Sequence, residues 1–286
     1  MIDQPANGLF PTRLHSEFIA TKPFKIRARW AARDLALRAL SLTRRVDCDG
    51  GWIRFPYYHH VFDDERGGFE RQLDYFSQFG EFISLSDAVT ILESGDPIDG
   101  CYFCITFDDG FSSCLSGATP ILAKRNIPAL FYLVTDLMGR SLTPDDAIAR
   151  DVFAFAGKDT TLDFLSWDDC RDMALAGMSF GSHTKSHARL ADLKPETIET
   201  ELRDSKQAIE RELGQVCDHF CAPYGIPDSD FDPARDGASA RAAGYRSFAT
   251  GTRGAMRRGA DPLSLTRDQM VANWGNHQLR YFLSQP

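Results

Sequence analysis

The sequence has no long apolar run, no overall excess of basic residues and no cysteine framework. A bilayer-spanning helix needs about 20 consecutive apolar residues, and the polar start, MIDQPANGLFPTRLHSEF, is not typical of a secretory signal. The net charge of −8 argues against a general nucleic-acid-binding protein. Seven cysteines, an odd number without regular spacing, favour a reducing compartment. We therefore expect a cytoplasmic protein that binds no nucleic acid.

Length and composition fit a large soluble domain. The 286 residues are 43% hydrophobic and 25% charged, which is enough for a core of the size found in α/β barrels. A single CxxC pair, Cys101 and Cys104, lies within an apolar segment and has no second pair to complete a zinc site. We expect neither a zinc nor a redox role for it.

One basic segment, from Lys22 to Arg45, interrupts the acidic composition. It holds eight basic residues against Asp34 alone, a net charge of +7, so that the rest of the chain is near −15. Four apolar residues fall close to one helical face: Ile26, Trp30, Leu37 and Leu40. Such a helix either contacts an anionic membrane surface or packs on the protein with a solvated basic face. We predict an N-terminal basic extension over residues 1–50 and a catalytic domain over 51–286.

After residue 51 the sequence alternates between strand-like and helix-like segments. Strands are predicted at 52–61, 101–107, 128–134, 178–181, 219–222 and 245–249, and helices at 68–79, 87–94 and 195–213. Repeated β–α units predict a parallel sheet or barrel. In such barrels the functional side chains lie at the carboxyl ends of the strands.

Two adjacent carboxylates, Asp108 and Asp109, follow the apolar strand in CYFCITFDDGFSS. Side by side they repel each other unless a cation binds one of them. The alternative is an Asp-Asp-Gly turn on a surface loop. Position at a strand end favours a function.

Histidines in GSHTKSH supply further candidate ligands. His183 and His187 are four residues apart, a spacing that we expect to place both imidazoles on one face of a helical turn. They also follow a predicted strand. Two histidines and a carboxylate suit a borderline divalent ion and leave positions for water and substrate.

The motifs ITFDDGFS, GSHTKSH and FCAPYG, in that order, resemble those of the polysaccharide deacetylases (carbohydrate esterase family 4, the NodB-like domain). The resemblance, from Trp52 onward, implies a distorted (β/α)7 barrel, to which the basic segment adds an N-terminal helical extension. It implies metal-dependent hydrolysis of an N-acetyl group on a sugar. The implied catalytic base is Asp108, and the implied metal ligands are Asp109, His183 and His187. By ligand type we expect Zn²⁺, with Co²⁺, Ni²⁺, Mn²⁺ or Fe²⁺ able to replace it.

The early segment PYYHHVFDD resembles the Tyr-His-x-Val strand of one subgroup, in which this histidine is the general acid. The matching residue is His59. His60 is the weaker candidate because the strand repeat points it to the opposite face. No Leu-x-x-His element near the end offers another acid.

The third motif departs from the common family pattern, because Cys221 stands where many members have an arginine that orients the base. Arg267, in LSLTRDQM, resembles a late element of the subgroup and is our candidate replacement. The alternative is an exposed arginine beside Asp268. By resemblance, Pro223 and Tyr224 contact the substrate, with the Tyr224 backbone N–H in the oxyanion site.

The expected reaction is deacetylation of an N-acetylated carbohydrate: a polysaccharide, an oligosaccharide or a lipid-linked precursor. Two alternatives stay open, namely a hydrolase of non-sugar C–N bonds and a carbohydrate-binding homologue that lost catalysis. The sequence leaves the oligomeric state open, as it does peripheral membrane contact through residues 22–45.

Overall fold

The computed structural model describes residues 9–20, 24–155, 157 and 159–285. Its strands are β1 (Phe10–Pro11), β2 (Trp52–Arg54), β3 (Pro56–Tyr58), β4 (Glu81–Phe82), β5 (Cys101–Phe103), β6 (Ile105–Phe107), β7 (Ala129–Leu133), β8 (Ser141–Leu142), β9 (Thr160–Asp163), β10 (Met178–Ser182), β11 (His219–Cys221), β12 (Ser247–Ala249) and β13 (Asp268–Gln269). Its helices are α1 (His15–Ala20), α2 (Phe24–Ser41), α3 (Arg66–Phe76), α4 (Leu85–Ser94), α5 (Ser113–Gly117), α6 (Thr119–Lys124), α7 (Ala147–Asp151), α8 (Trp167–Leu175), α9 (Pro195–Leu213), α10 (Pro233–Ala242) and α11 (Asn276–Leu283).

Seven strands form one curled sheet in the order β12-β11-β10-β7-β6-β3-β13. Every neighbouring pair in it is parallel. A bridge between Ala249 and Leu265 joins the end of β12 to the segment that leads into β13, and so links the two edges of the sheet. The predicted (β/α)7 barrel is confirmed.

Two predicted strands are each interrupted once. The segment predicted as 52–61 divides at Phe55 into β2 and β3, and the segment 101–107 divides at Cys104 into β5 and β6. The same parallel register continues on both sides of the interruption. Pro56 explains the first break, because proline has no N–H for a ladder hydrogen bond.

Aromatic side chains pack between the sheet and the helices that surround it. The ring of Phe107 stacks on Phe131 with centroids 4.5 Å apart, and Tyr58 stacks on Phe107 at 5.6 Å. All three side chains are buried. A rigid layer of this kind fixes the strand ends from which the site residues project.

Helix α9 matches its predicted limits. Pro195 occupies its first turn, where its missing N–H costs nothing, and Gly214 ends it with a left-handed φ of 65°. Helix α4 begins two residues earlier than predicted, because Ser84 caps it by accepting a hydrogen bond from the Asp87 N–H.

The N-terminal segment packs against the barrel. Strand β1 pairs with β9 in parallel, and α2 packs against α11. Leu37 is buried, whereas Trp30 and Leu40 are about half exposed at 45% and 51%. The predicted basic segment begins at Lys22, which lies outside the described residues, as does the side chain of Ile26. The domain division at residue 50 and membrane contact stay predictions.

None of the helices in the described part of the chain combines the length and the apolar character that a bilayer crossing requires.

Candidate active site

Asp108 and Asp109 leave the carboxyl end of β6 and point into the barrel mouth. Each is only 4% exposed. Asp109 adopts a left-handed φ of 71° and Gly110 one of 76°, so the backbone turns sharply directly after the two carboxylates. Asparagine, aspartate and glycine tolerate this region best. The turn separates the two side chains and lets each meet a different partner.

Asp109 meets two histidines. Its Oδ1 lies 3.3 Å from His183 Nε2 and 3.1 Å from His187 Nε2. One ligand atom from each residue lies within 4.8 Å of the others. Asp109 Oδ1 and His187 Nδ1 are buried without a hydrogen-bond partner in the described part of the structure. A buried carboxylate oxygen and two imidazoles that converge without bonding fit a divalent cation.

The loop that carries the two histidines is not the helical turn that the spacing predicted. Thr184 and His187 both have left-handed backbones, with φ of 65° and 62°. Glu201 of α9 holds the loop by accepting 2.9 Å hydrogen bonds from the backbone N–H groups of Lys185 and Ser186. The imidazoles therefore converge because of loop geometry and a buried acid.

His183 is oriented by strand β11. Its Nδ1 lies 2.9 Å from the Cys221 carbonyl oxygen, which can only accept, so Nδ1 carries the proton and Nε2 is free as a ligand. Such outer contacts commonly fix metal-binding histidines.

Asp108 is paired with Arg267. The guanidinium donates from Nη1 to Oδ1 at 2.7 Å and from Nη2 to Oδ2 at 2.9 Å. It also donates to the Thr250 carbonyl oxygen at 2.8 Å and to Cys221 Sγ at 3.0 Å. Arg267 is 2% exposed, so the alternative of an exposed arginine is wrong. The small Cys221 side chain leaves the space that the guanidinium occupies.

These partners keep both carboxylates ionised. Burial alone would raise the pKa of Asp108, but the charge and hydrogen bonds of Arg267 lower it below its ordinary value. Burial likewise would raise the pKa of Asp109, and His183 and His187 hold it well below the usual range. The site therefore presents two buried negative charges with different partners.

The two neighbouring histidines after β3 differ in environment. His59 Nε2 lies 3.9 Å from Asp109 Oδ2, and its side chain is 36% exposed. His60 stacks on Phe62 and Phe111, and its Nδ1 lies 2.9 Å from Ser113 Oγ. Burial and repulsion from His59 lower the pKa of His60 to about 3.

The family model for polysaccharide deacetylases matches residues 99–247, which is just over half of the chain. The chain belongs to the polysaccharide deacetylase family. A Bacillus subtilis (strain 168) protein described as a polysaccharide deacetylase, YxkH, is 24% identical over 203 residues. That match covers 66% of this chain and 65% of the length of the relative.

Solved deacetylase structures share the fold. Streptococcus pyogenes deacetylase PplD, in complex with acetate, superposes with a TM-score of 0.65 at 22% identity, over 82% of this chain and 99% of that one. IcaB from Ammonifex degensii gives 0.67 at 21% identity, over 82% and 97%. The deacetylase domain of BpsB from Bordetella bronchiseptica gives 0.60 at 18% identity, over 79% and 98%.

A cleft of about 390 Å³ opens above the carboxylates of this polysaccharide deacetylase family member. Tyr224 lies on its rim with 42% of the side chain exposed, has a φ of 63° and contacts the His187 ring edge-on at 5.1 Å. Pro223, before it, is buried. Both follow β11, as the FCAPYG motif predicted.

Sequence reasoning missed the contribution of the N-terminal segment. His15, Phe18 and Trp30 line the same cleft as the carboxylates. His15 Nδ1 lies 2.9 Å from Glu65 Oε1, and its backbone N–H donates to Asp64 at 2.7 Å, which anchors the segment beside the barrel. The apolar periodicity of 22–45 indicated a helix, but nothing in it indicated a cleft wall.

Proposed function

We propose that the protein hydrolyses the N-acetyl group of an N-acetylated sugar and releases acetate, with a divalent metal, most simply Zn²⁺. The observation that carries the proposal is the pair of adjacent buried carboxylates with separate partners. Asp109 faces two histidines, and Asp108 is held by Arg267. Family membership supplies the reaction class.

Asp109, His183 and His187 would hold the metal, which supplies polarisation of the acetamide carbonyl and activation of a water molecule. Asp108 is the general base. Because Arg267 lowers its pKa, it is ionised and able to accept the proton of the attacking water. The bidentate pair also fixes the direction of the carboxylate, which is the role that an arginine at position 221 would otherwise have.

His59 is the proposed general acid for the leaving amine. It reaches the cleft from the strand beside Asp108 and is partly exposed, so it can exchange protons with solvent. His60 suits this role less, since its low pKa keeps it neutral. The Tyr224 backbone N–H would stabilise the negative charge that develops on the carbonyl oxygen.

Catalytic loss is not the preferred interpretation. That interpretation came from Cys221 in place of the usual arginine, but Arg267 donates two charge-assisted hydrogen bonds to Asp108 and would orient it instead. An intact base with its charge partner favours an active enzyme.

The test is acetate release from N-acetylglucosamine oligosaccharides by the metal-loaded protein. Asp108→Asn should bind metal at the wild-type stoichiometry and lose turnover by about 10²-fold or more, as expected for a general base. Asp172→Asn, at an exposed position on α8, is the matched control and should behave as wild type. Full turnover in Asp108→Asn would contradict the assignment.

A further inference from the structure

A second cavity continues from the active-site cleft. It has a volume of about 830 Å³ and lies between α2, α11 and the segment around β13. The two cavities share four lining residues: His15, Trp30, Gln269 and Val271. A substrate whose acetamide lies over Asp108 can therefore extend into this groove.

Three arginines line the groove: Arg33, Arg38 and Arg253. Arg38 is neutralised, because it donates to Asp34 at 2.9 Å. Asp34 is fully engaged, since its other oxygen lies 2.7 Å from His277 Nε2. Arg33 and Arg253 are paired less completely.

Arg33 is exposed and makes no ion pair among the described residues, and its guanidinium lies 5.7 Å from the centre of the Phe282 ring. Arg253 lies over the same ring at 4.0 Å. Its Nη1 is 3.5 Å from Asp268, but that carboxylate already accepts a 2.8 Å hydrogen bond from Arg54. The buried carboxylate of Asp268 is thus shared between Arg54 and Arg253.

The two guanidiniums face one aromatic ring and repel each other. Burial lowers the pKa of Arg253, Asp268 opposes this effect, and the charge of Arg33 adds to it. Arg253 Nη1 is also buried without a hydrogen-bond partner in the part of the chain that the structure describes. Arg253 donates from Nη2 to the Gln269 carbonyl oxygen at 2.7 Å and shares Asp268 with Arg54, so one carboxylate faces two arginines. With Arg33 added, this wall of the groove carries an excess of positive charge, which makes a favourable position for a multiply charged anion.

We propose that Arg33 and Arg253 form a subsite for a phosphate or pyrophosphate group joined to the N-acetylated sugar. The substrate class is then a glycosyl phosphate ester rather than a neutral glycan. The inference rests on the proposed deacetylation. Trp30, Leu37 and Trp274 line the rest of the groove and can contact the carrier beyond the phosphate, whether a nucleoside or a lipid chain.

The experiment compares acetate release from four substrates: methyl N-acetylglucosaminide, N-acetylglucosamine 1-phosphate, uridine diphosphate N-acetylglucosamine and a prenyl pyrophosphate-linked N-acetylglucosamine. Wild type should prefer the phosphorylated sugars to the neutral glycoside by about tenfold or more in kcat/KM, the range of one or two charge-assisted hydrogen bonds. The better of the last two substrates identifies the carrier, and either result supports the phosphate subsite.

Variants locate the effect. Arg33→Gln should reduce the preference ratio about tenfold, and Arg33→Lys should restore part of it. Arg29→Gln, one helical turn earlier and exposed, is the matched control and should keep the wild-type ratio. Arg253→Gln should act like Arg33→Gln if it folds, and Arg33→Gln alone decides the question if it does not.

A wild-type enzyme without preference, or an unchanged ratio in Arg33→Gln, would overturn the subsite. Loss of binding to anionic vesicles in Arg33→Gln with an unchanged ratio would assign the arginine to membrane contact instead. If no sugar is deacetylated, the proposed function fails separately, and titration calorimetry with N-acetylglucosamine 1-phosphate decides. Binding that Arg33→Gln abolishes would uphold the subsite, and absence of binding would refute it.

Discussion

Replacement of Arg267 by methionine should destabilise the protein in a way that depends on pH. The substitution keeps an unbranched side chain but removes both hydrogen bonds to Asp108, which is 4% exposed. At a separation of about 4 Å and an effective dielectric constant of about 20, the lost attraction is about 4 kcal/mol. This agrees with the roughly 3–5 kcal/mol that removal of one partner of a buried ion pair costs.

The sign of the pH dependence follows from the two pKa shifts. In the wild type the pKa of folded Asp108 is lowered, so its ionised pair stabilises the fold above the unfolded pKa of about 3.9 and this contribution is lost as the pH falls through the folded value. In Arg267→Met, burial without the arginine raises the pKa of Asp108, so its charged form opposes folding at neutral pH. The stability difference between the two proteins should therefore be largest near neutrality and shrink towards about pH 4.

Urea unfolding of both metal-free proteins at about pH 7 and about pH 4 measures this difference. In the metal-loaded protein, turnover at neutral pH should fall by about 10²-fold or more, and the acid limb of kcat/KM should move to higher pH, because a protonated Asp108 cannot act as a base. Arg267→Lys, which keeps the charge but not the bidentate geometry, should lie between the two. An equal stability loss at both pH values with an unmoved acid limb would refute the role of Arg267.

Further predictions concern the metal ligands, the acid and the basic segment. Alanine at Asp109, His183 or His187 should each abolish metal binding while circular dichroism reports a retained fold, and full metal content in His187→Ala would contradict the ligand set. His59→Ala should reduce turnover by about 10²-fold, whereas His60→Ala should have a small effect on turnover because its imidazole is held by stacking and a hydroxyl; comparable losses would point to the wrong histidine. The full-length protein should co-sediment with anionic liposomes at low salt and dissociate at high salt, and a protein that stays in the supernatant would limit the segment to its packing role.

The parallel β–α architecture and the position of the carboxylates could be predicted because they depend on local pattern, and the family resemblance supplied the (β/α)7 barrel. An apolar strand that ends in Asp108-Asp109 places charge at the barrel mouth in any parallel sheet. The arrangement of His183 and His187 could not, since Thr184 and His187 adopt left-handed backbones, a conformation that a β-branched residue such as Thr184 rarely has. A spacing of four residues brings two side chains to one face through a helical turn only if the backbone between them is helical.

Contacts between residues that are far apart in the sequence could not be predicted either. Arg267 and Asp108 are 159 positions apart, so only the closed barrel brings them together. The break at Phe55 was signalled by the following proline, whereas nothing local signals the break at Cys104. Trp30 likewise reads as part of a surface helix, and its place in the cleft depends on how α2 meets α11.

The segment from Leu265 to Asp268, which closes the barrel, also carries Arg267, the arginine that donates to the candidate base Asp108. Leu265 accepts from the Thr250 N–H at 2.9 Å across the edge of the sheet, the Arg267 N–H donates to the Thr252 carbonyl at 2.7 Å, and the Asp268 N–H donates to the Phe55 carbonyl at 2.9 Å. A local opening that separates these strands must withdraw the guanidinium from Asp108 at the same moment. The free energy of that opening, which native-state hydrogen exchange at the Thr250 and Asp268 amides can measure, therefore sets the fraction of molecules that are catalytically silent at any instant.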